Sequence, residues 1–125
     1  MRQQPEFRLQ YFVTQLLKFE AAPGIVHFAV PNGEYRSKRT LAKLKNMGVR
    51  AGVADLAFVL PGGRAAFLEL KSERGYQSAV QRQFQVEAEA AGALYAVAKS
   101  PDEVRAILKD WGVLRGRREA VRRAA

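Results

Sequence analysis

The part of the sequence that most constrains the fold is an apolar hairpin over residues 52–71. Two apolar runs flank a Pro-Gly-Gly segment at 61–63, a pattern typical of two β-strands joined by a short loop. If the residues on either side of this segment close the loop, Asp55 lies directly opposite Glu69, with Cβ atoms about 4.5–5.5 Å apart. Because side chains alternate along a strand, we expect Lys71 on the same face as these two carboxylates.

Neither face of this hairpin is polar. The face opposite the two carboxylates carries a row of apolar side chains, namely Leu56, Phe58, Leu60, Ala66, Leu68 and Leu70. The carboxylate face also holds apolar residues, namely Ala57, Val59, Ala65 and Phe67. A hairpin that is apolar on both sides must be covered on both sides. This predicts an α/β fold in which helices flank both faces of a mixed central sheet.

Two carboxylates side by side within apolar strands require a physical explanation. Like charges at this distance repel, and burying either one is costly unless a cation lies nearby. Lys71 can neutralise one carboxylate, whereas a divalent metal ion could hold both, and oxygen ligands without cysteine suit Mg²⁺ or Mn²⁺. A second interpretation stays open, in which the strand pair is half exposed and its rim carries an ordinary salt bridge.

The charge balance indicates a polyanionic partner. The 125-residue chain carries 21 Lys and Arg against 12 Asp and Glu, a formal net charge of +9 at pH 7. A small domain that is this basic most often binds nucleic acid, whereas charge kept for solubility alone is rarely so one-sided. Hydrophobic residues make up 48% of the chain, which is enough for one core, so we expect a single folded domain.

The residue types that the sequence lacks exclude several kinds of functional site. The chain has no cysteine, which excludes disulfides and thiolate metal sites, and its single histidine, His27, excludes a histidine-cluster zinc site. No apolar run reaches membrane-spanning length, and the first residues lack the apolar region of a signal peptide. We therefore expect a soluble, cytoplasmic protein with no membrane partner.

A helix is expected before the hairpin, over residues 5 to about 19. Its apolar stripe consists of Leu9, Phe12, Val13, Leu16 and Leu17. Glu6 lies in line with this stripe at the start of the helix. There it either interacts with the helix dipole or points into a site beneath the helix. A short strand over residues 25–30 and a turn at 31–33 follow.

The segment before the hairpin, residues 34–50, is dense in cations. Leu41, Leu44 and Met47 predict a short amphipathic helix that Gly48 ends. The candidate DNA-binding residues of this segment are Arg36, Lys38, Arg39, Lys43, Lys45 and Arg50. Such cations are often only a solvated face, but their place just before Asp55 favours a phosphate-binding approach.

Two helices and a strand are expected after the hairpin. A capping box from Ser78 to Gln81 opens a helix to about residue 91, and a strand follows over residues 94–98. The apolar stripe of that helix is Val80, Phe84, Ala88 and Ala91. A second capping box, from Ser100 to Glu103, opens a helix that reaches about residue 111. The arginine-rich tail beyond it either lies on nucleic acid or is disordered.

This ordered set of residues resembles the PD-(D/E)xK nuclease core and, more narrowly, the VRR-NUC (virus-type replication-repair nuclease) domain. The resemblance rests on Gly52-x-x-Asp55, then Glu69-Leu70-Lys71 on the next strand, then Ser78-x-x-Gln81 at a helix start. Further matches are Pro31-Asn32-Gly33, the basic helix ending at Gly48, Glu6-x-x-x-Gln10, and Gly92 before the last strand. The resemblance implies a nuclease domain over residues 1–113, followed by a basic C-terminal tail over residues 114–125.

The resemblance also implies roles for individual residues. Asp55 and Glu69 would bind Mg²⁺ or Mn²⁺, helped by the backbone carbonyl of Leu70. Glu6 would reach the metal through water. Lys71 would position or activate the attacking water and stabilise charge on the phosphate. Gln81 would orient Lys71 or the DNA backbone, although its place in a capping box leaves open a bond to the Ser78 backbone instead.

Stand-alone domains of this kind are similar to structure-selective endonucleases, including Holliday-junction resolvases of phage type. The resemblance therefore implies a divalent-metal-dependent DNA endonuclease for branched or four-way DNA. It would act in DNA repair in the bacterial cytoplasm, whether encoded by a bacterium or a phage. Two opposed cuts require two sites, so we expect a homodimer. Trp111, Leu114 and Tyr95 are its candidate contact residues.

Two other readings of the sequence remain. One is a catalytically inactive nuclease fold that serves as a DNA-binding accessory protein, although all the expected acids and the lysine are present. The other is a small RNA-binding protein, which would carry exposed aromatic residues among its cations. Tyr35 and Tyr76 are the only candidates for that role that the sequence offers.

Overall fold

The helices and strands follow the order expected from the sequence. The computed structural model describes residues 5–31 and 37–116. Its elements are α1 (Pro5–Glu20), β1 (Val26–Ala29), α2 (Lys38–Asn46), β2 (Leu56–Val59), β3 (Ala65–Leu70), α3 (Ala79–Ala90), β4 (Leu94–Ala98) and α4 (Pro101–Asp110). The predicted turn at residues 31–33 and the cation Arg36 fall largely or wholly outside the described residues.

Serine side chains start three of the four helices. Ser37, Ser78 and Ser100 each accept a hydrogen bond from the backbone N–H three residues further on. Before α3, the capping box is reciprocal, as expected. Before α4, the carboxylate of Glu103 instead accepts from the backbone N–H of Lys99, one residue before the cap.

The four strands form one sheet in the order β1-β2-β3-β4. β1 and β2 are antiparallel, as are β2 and β3, whereas β3 and β4 are parallel and are joined by the crossover helix α3. Because β3 and β4 are parallel, the residues that follow them, Lys71 and Lys99, lie at the same edge of the sheet. The expected α/β core with a mixed central sheet is confirmed.

One face of the sheet holds the main core. α1 and α4 cover this face, and all the apolar residues expected there from the hairpin are buried in it. The buried cluster comprises Leu9, Val13, Leu16, Leu17, Leu56, Phe58, Leu60, Ala66, Leu68, Leu70, Ala98, Val104, Leu108 and Val113. The predicted stripe of α1 is confirmed, with Phe12 partly buried against the same cluster.

The opposite face has a much smaller core beneath α3. Its buried residues are Ala54, Phe84 and Tyr95, and the rings of Phe84 and Phe67 meet edge to face at 5.0 Å. The expected stripe of α3 is only partly correct. Phe84 is buried and Ala88 packs against the cluster, but Ala91 is exposed and Val80 is 49% exposed. Val80 lies against Gly52 in the loop before β2, and that loop covers only part of the side chain.

Helix α2 forms where the sequence predicts it, but none of its residues is buried. Leu41 and Met47, which mark its apolar side, are 52% and 69% exposed. No helix within the described residues is long and apolar enough to cross a membrane.

The segment after α4 pairs with the end of α1. Leu114 forms a β-bridge with Ala21, and the backbone N–H of Arg115 donates to the carbonyl of Glu20. Residues 117–125, which hold most of the predicted basic tail, lie outside the described residues. Trp111 and Leu114 pack against the main core and Tyr95 is buried in the smaller one, so the chain's own cores use these candidate dimer contacts.

Candidate active site

The hairpin register brings the two carboxylates face to face. Leu56 pairs with Leu68 and Val59 with Ala65, so one step beyond the paired strand Asp55 lies opposite Glu69. The loop closes through a hydrogen bond from the Leu60 N–H to the Arg64 carbonyl, at 2.8 Å between N and O. The predicted register is therefore confirmed.

Asp55 is held by the backbone on both sides. Its carbonyl accepts from the Val30 N–H at 2.8 Å, next to β1. Its carboxylate Oδ2 accepts from the backbone N–H of Leu70 at 2.7 Å. This side-chain bond extends the pairing of β2 with β3 by one residue, and it fixes the direction of the carboxylate.

Glu69 is the buried carboxylate of the pair, with 3% of its surface exposed. Its Oε1 accepts from the side-chain amide of Gln81 at 3.3 Å, whereas its Oε2 is buried and no group of the described residues donates a hydrogen bond to it. Burial, followed by a hydrogen bond to Asp55 and the negative charge of Asp55, raises the pKa of Glu69 from its ordinary 4.5 to about 9, against the opposing charge of Lys71. At neutral pH and without a cation between the carboxylates, Glu69 therefore keeps its proton.

Lys71 follows β3 directly and is anchored by its backbone, whose N–H donates to the Ala98 carbonyl at 3.0 Å. Within the described residues, ion pairs join Arg50 to Glu87 and Arg105 to Glu20, and none joins Lys71 to either carboxylate. The salt-bridged rim that the sequence left open is therefore not formed, and Glu69 is buried rather than half exposed. The lysine ammonium stays available for a ligand in front of the carboxylates.

Gln81 connects the start of α3 to the site. Its Oε1 accepts from the Ser78 N–H at 2.8 Å, which completes the capping box, and its Nε2 donates to Glu69. The two contacts use opposite ends of one amide, so the capping bond and a role at the site are compatible. The amide contacts Glu69, not Lys71.

Gly52 allows α3 to approach this closely. Its backbone has a φ of 84°, in the left-handed region, and a Cβ at this position would lie 2.8 Å from the backbone carbonyl of Val80. Any larger residue would push away the first turn of α3, which carries Gln81. This gives a physical reason for the glycine three residues before Asp55.

A cavity of about 740 Å³ opens in front of these groups. Asp55, Glu69, Lys71 and Gln81 all line it, and α1 contributes Glu6, Phe7, Gln10, Tyr11 and Thr14. Leu70 also lines the cavity, and because its side chain is buried in the main core on the other face, the cavity meets its backbone. The two interpretations of Glu6 are therefore compatible, since it lies in the first turn of α1 and also lines the cavity.

These donors suit a divalent cation of the Mg²⁺ class. Two carboxylates lie on adjacent strands, one buried oxygen has no hydrogen-bond partner, and a main-chain segment is close by. No cluster of three or more His, Asp or Glu side chains occurs within residues 5–31 and 37–116, so backbone, substrate or water must supply the other ligands. The residues present fit the metal that the resemblance implies.

The predicted DNA-binding cations do not all belong to one surface. Lys38, Arg39, Lys43 and Lys45 lie exposed on α2, and no ion pair is found for them within the described residues. Arg50 instead forms an ion pair with Glu87 on α3 at 2.6 Å and lies over the ring of Phe84. Arg50 is thus bound to α3, away from the cavity.

The sequence analysis missed two aromatic residues at the site. Phe7 and Tyr11 lie off the buried stripe of α1, are 57% and 62% exposed, and line the cavity. A pair of aromatic residues four positions apart on an otherwise polar helix face was the available signal, but only the fold brings that face to the carboxylates.

Taken together, the fold and the site define a class. A mixed sheet carries an aspartate on one strand and Glu-x-Lys on the next, and a helix-capping glutamine contacts the glutamate. This arrangement fits an α/β nuclease-like core, as the resemblance of the sequence implies.

Comparison with solved structures identifies the fold more specifically. The chain matches a structure described as a VRR_NUC domain protein with a TM-score of 0.68 and 22% sequence identity, over 93% of this chain and 100% of the other. A second structure, described as a VRR_NUC domain, matches with a TM-score of 0.61 and 21% identity, over 87% of this chain and 99% of the other. No protein-family model and no curated protein matches the sequence. The chain has the VRR-NUC domain fold.

Proposed function

We propose that this protein is a divalent-metal-dependent DNA endonuclease of the VRR-NUC family, which hydrolyses phosphodiester bonds and selects branched or four-way DNA. The observation that carries the proposal is the pairing of Asp55 with the buried Glu69, whose Oε2 has no hydrogen-bond donor among the described residues and which lines an open cavity. A buried carboxylate without a compensating cation costs stability. A metal site is the explanation that this geometry favours.

In this proposal Asp55 and Glu69 hold Mg²⁺ or Mn²⁺, with the Leu70 carbonyl and, through water, Glu6. When bound, the cation supplies Lewis-acid activation and neutralises charge on the scissile phosphate. The Leu70 N–H keeps the Asp55 carboxylate turned toward the cavity, and Gln81 holds one oxygen of Glu69. Both carboxylates are therefore oriented before any ligand arrives.

Lys71 supplies positive charge where the phosphate gains negative charge in the transition state. Because no carboxylate of residues 5–31 and 37–116 lies within ion-pair distance of Lys71, its ammonium can contact a non-bridging phosphate oxygen or orient the attacking water. The four exposed cations of α2 would contact neighbouring phosphates of the backbone without reading its sequence.

We propose a homodimer as the active species, because symmetric resolution of a four-way junction needs two equivalent sites. Light scattering coupled to gel filtration would give the mass, and a cruciform plasmid would report whether two cuts occur in one binding event. A monomer that only nicks the cruciform would leave a flap-cutting or nicking nuclease as the better description.

The decisive experiment for the activity uses duplex, flap and four-way DNA with Mg²⁺, Mn²⁺ or a chelator. We expect cleavage of branched DNA with either metal, none with chelator, and none in Asp55→Ala under any condition. Binding without cleavage by the wild-type protein would instead support the DNA-binding accessory protein. Cleavage that survives in Asp55→Ala would mean that the activity comes from another site or a contaminant.

A further inference from the structure

Two exposed aromatic side chains of α1 line the cavity. Phe7 and Tyr11 lie one helical turn apart on α1, so their side chains are neighbours on one face of the helix. Both are more than half exposed, and both line the cavity that Asp55, Glu69 and Lys71 line. The main core does not use them, since it takes Leu9 and Val13 from α1.

The cavity is large enough for more than a phosphate. Its volume of about 740 Å³ lies within the range of about 300–1,000 Å³ that is typical of ligand sites. The strands supply two carboxylates and a lysine, whereas α1 supplies two exposed rings beside the polar Glu6, Gln10 and Thr14. A nucleotide likewise combines a charged phosphate with a flat base.

A base can use these rings only when it is free of its own stack. Aromatic side chains bind unpaired bases by stacking and do so with little regard to sequence, because every base has a π-face. In an intact duplex the base faces are covered by neighbouring base pairs, so the rings would have nothing to stack on.

We propose that Phe7 and Tyr11 form a stacking subsite for an unpaired nucleobase next to the phosphodiester that is cut. The inference rests on the proposed nuclease function and adds to it the feature of DNA that the site selects. The nuclease then prefers branch points, flaps and bulges because these expose an unstacked base within reach of the carboxylates.

The test compares a duplex with the same duplex carrying one unpaired nucleotide. Affinity is measured by fluorescence anisotropy in chelator, and cleavage is measured with Mg²⁺. The variant is Phe7→Leu with Tyr11→Leu, which keeps apolar bulk and helix propensity but removes both rings. Phe19→Leu is the matched control, since Phe19 is 66% exposed on the same helix and does not line the cavity.

We expect the double variant to lose about fivefold or more in affinity for the bulged DNA, with a matching loss of cleavage, while duplex affinity changes by less than about twofold. Phe19→Leu should change neither. An equal loss on both DNAs, or no loss on the bulged DNA, would overturn the subsite. If the double variant unfolds, Tyr11→Leu alone decides the question by the same criterion.

The outcome also separates this inference from the proposed function. A wild-type protein that cuts DNA, and a Lys71→Met variant that does not, would support the nuclease even where the rings prove irrelevant. A wild-type protein that neither binds nor cuts any of these DNAs would reject both.

Discussion

The two faces of the sheet differ in what they bury. The face under α1 and α4 is a continuous apolar cluster, in which Leu68, Ala66 and Val13 have no exposed surface. The face under α3 has a small buried cluster of Ala54, Phe84 and Tyr95, and it carries Glu69, the one buried charged residue of the described chain. Since β3 alternates its side chains between the faces, neighbouring residues of one strand serve stability and chemistry in turn.

This comparison predicts that the largest loss of stability comes from the α1/α4 face. Leu68→Ala should lower the free energy of unfolding by about 2–5 kcal/mol, because it opens a cavity in a core with no exposed surface. Val59→Ala is the control on the opposite face, where the side chain is 41% exposed and the expected loss is below about 1 kcal/mol. Urea denaturation measures both, and similar losses would break the distinction between the faces.

On the other face, the largest effect should be on activity. Lys71→Met should lower the cleavage rate by about 10²–10³-fold, since in the proposed mechanism it removes a positive charge that acts on the transition state. Its free energy of unfolding should stay close to that of the wild type, because Lys71 forms no ion pair with the described residues. Single-turnover rates with Mg²⁺ provide the measurement, and a cleavage rate within a few-fold of wild type would remove Lys71 from the mechanism.

The buried glutamate predicts an unusual pH dependence. The pKa of Glu69 is about 9 in the folded chain and near 4.5 when unfolded, so the folded state keeps a proton that the unfolded chain releases. In chelator, stability is therefore fully present below about pH 4.5 and is lost as pH rises toward 9, by at most about 1.4 kcal/mol per pH unit.

Glu69→Gln should remove this dependence, because an amide does not ionise. Thermal unfolding in chelator at several pH values measures it. Mg²⁺ should stabilise the wild-type protein most at the alkaline end, where the cation no longer competes with a proton. A wild-type curve as flat as that of Glu69→Gln would mean that the carboxylate is already charged without metal.

Gln81 offers a way to separate the cap from the site. Ser78→Ala should cost about 1 kcal/mol of stability through the lost cap and leave cleavage nearly unchanged. Gln81→Ala should cost a similar amount and also slow cleavage, because it frees Glu69. Equal cleavage rates for the two variants would assign Gln81 to the helix cap alone.

The smallest effects should come from the cations of α2. Replacing a lysine that contacts a phosphate should lower the slope of log affinity against log salt concentration by about 1. We expect this for Lys43→Ala and Lys45→Ala but not for Arg50→Ala, because Arg50 pairs with Glu87. Salt titrations of DNA affinity make the comparison, and unchanged slopes for both lysines would leave α2 a solvated face.

The parts of this molecule that were predictable from sequence are those set by local rules. The register of β2 and β3 follows from a short symmetric loop, so the meeting of Asp55 with Glu69 needed no tertiary information. Serine caps and glycine stops gave the bounds of α3 and α4 within one or two residues. The resemblance to the VRR-NUC domain added the overall fold, because its motifs lie on helices and strands whose order the sequence pattern already indicated.

The remaining features depend on contacts between distant segments. The ion pair of Arg50 joins residues 37 positions apart, so nothing in the basic segment itself separates this arginine from its neighbours. The burial of Glu69, which argues against a half-exposed, salt-bridged rim, depends on how closely α3 approaches. Phe7 and Tyr11 look like ordinary surface residues until α1 is placed beside the ends of the strands.

The pairing of Ala21 with the segment after α4 has a consequence for how the protein is made. The guanidinium of Arg115 donates to the carbonyl of Ala21, 94 positions earlier in the chain. Synthesis proceeds from the N-terminus, so α1 emerges long before the residues that hold its end exist. The end of α1 therefore gains this contact only after translation has passed residue 115, and until then the packing of α1 is incomplete.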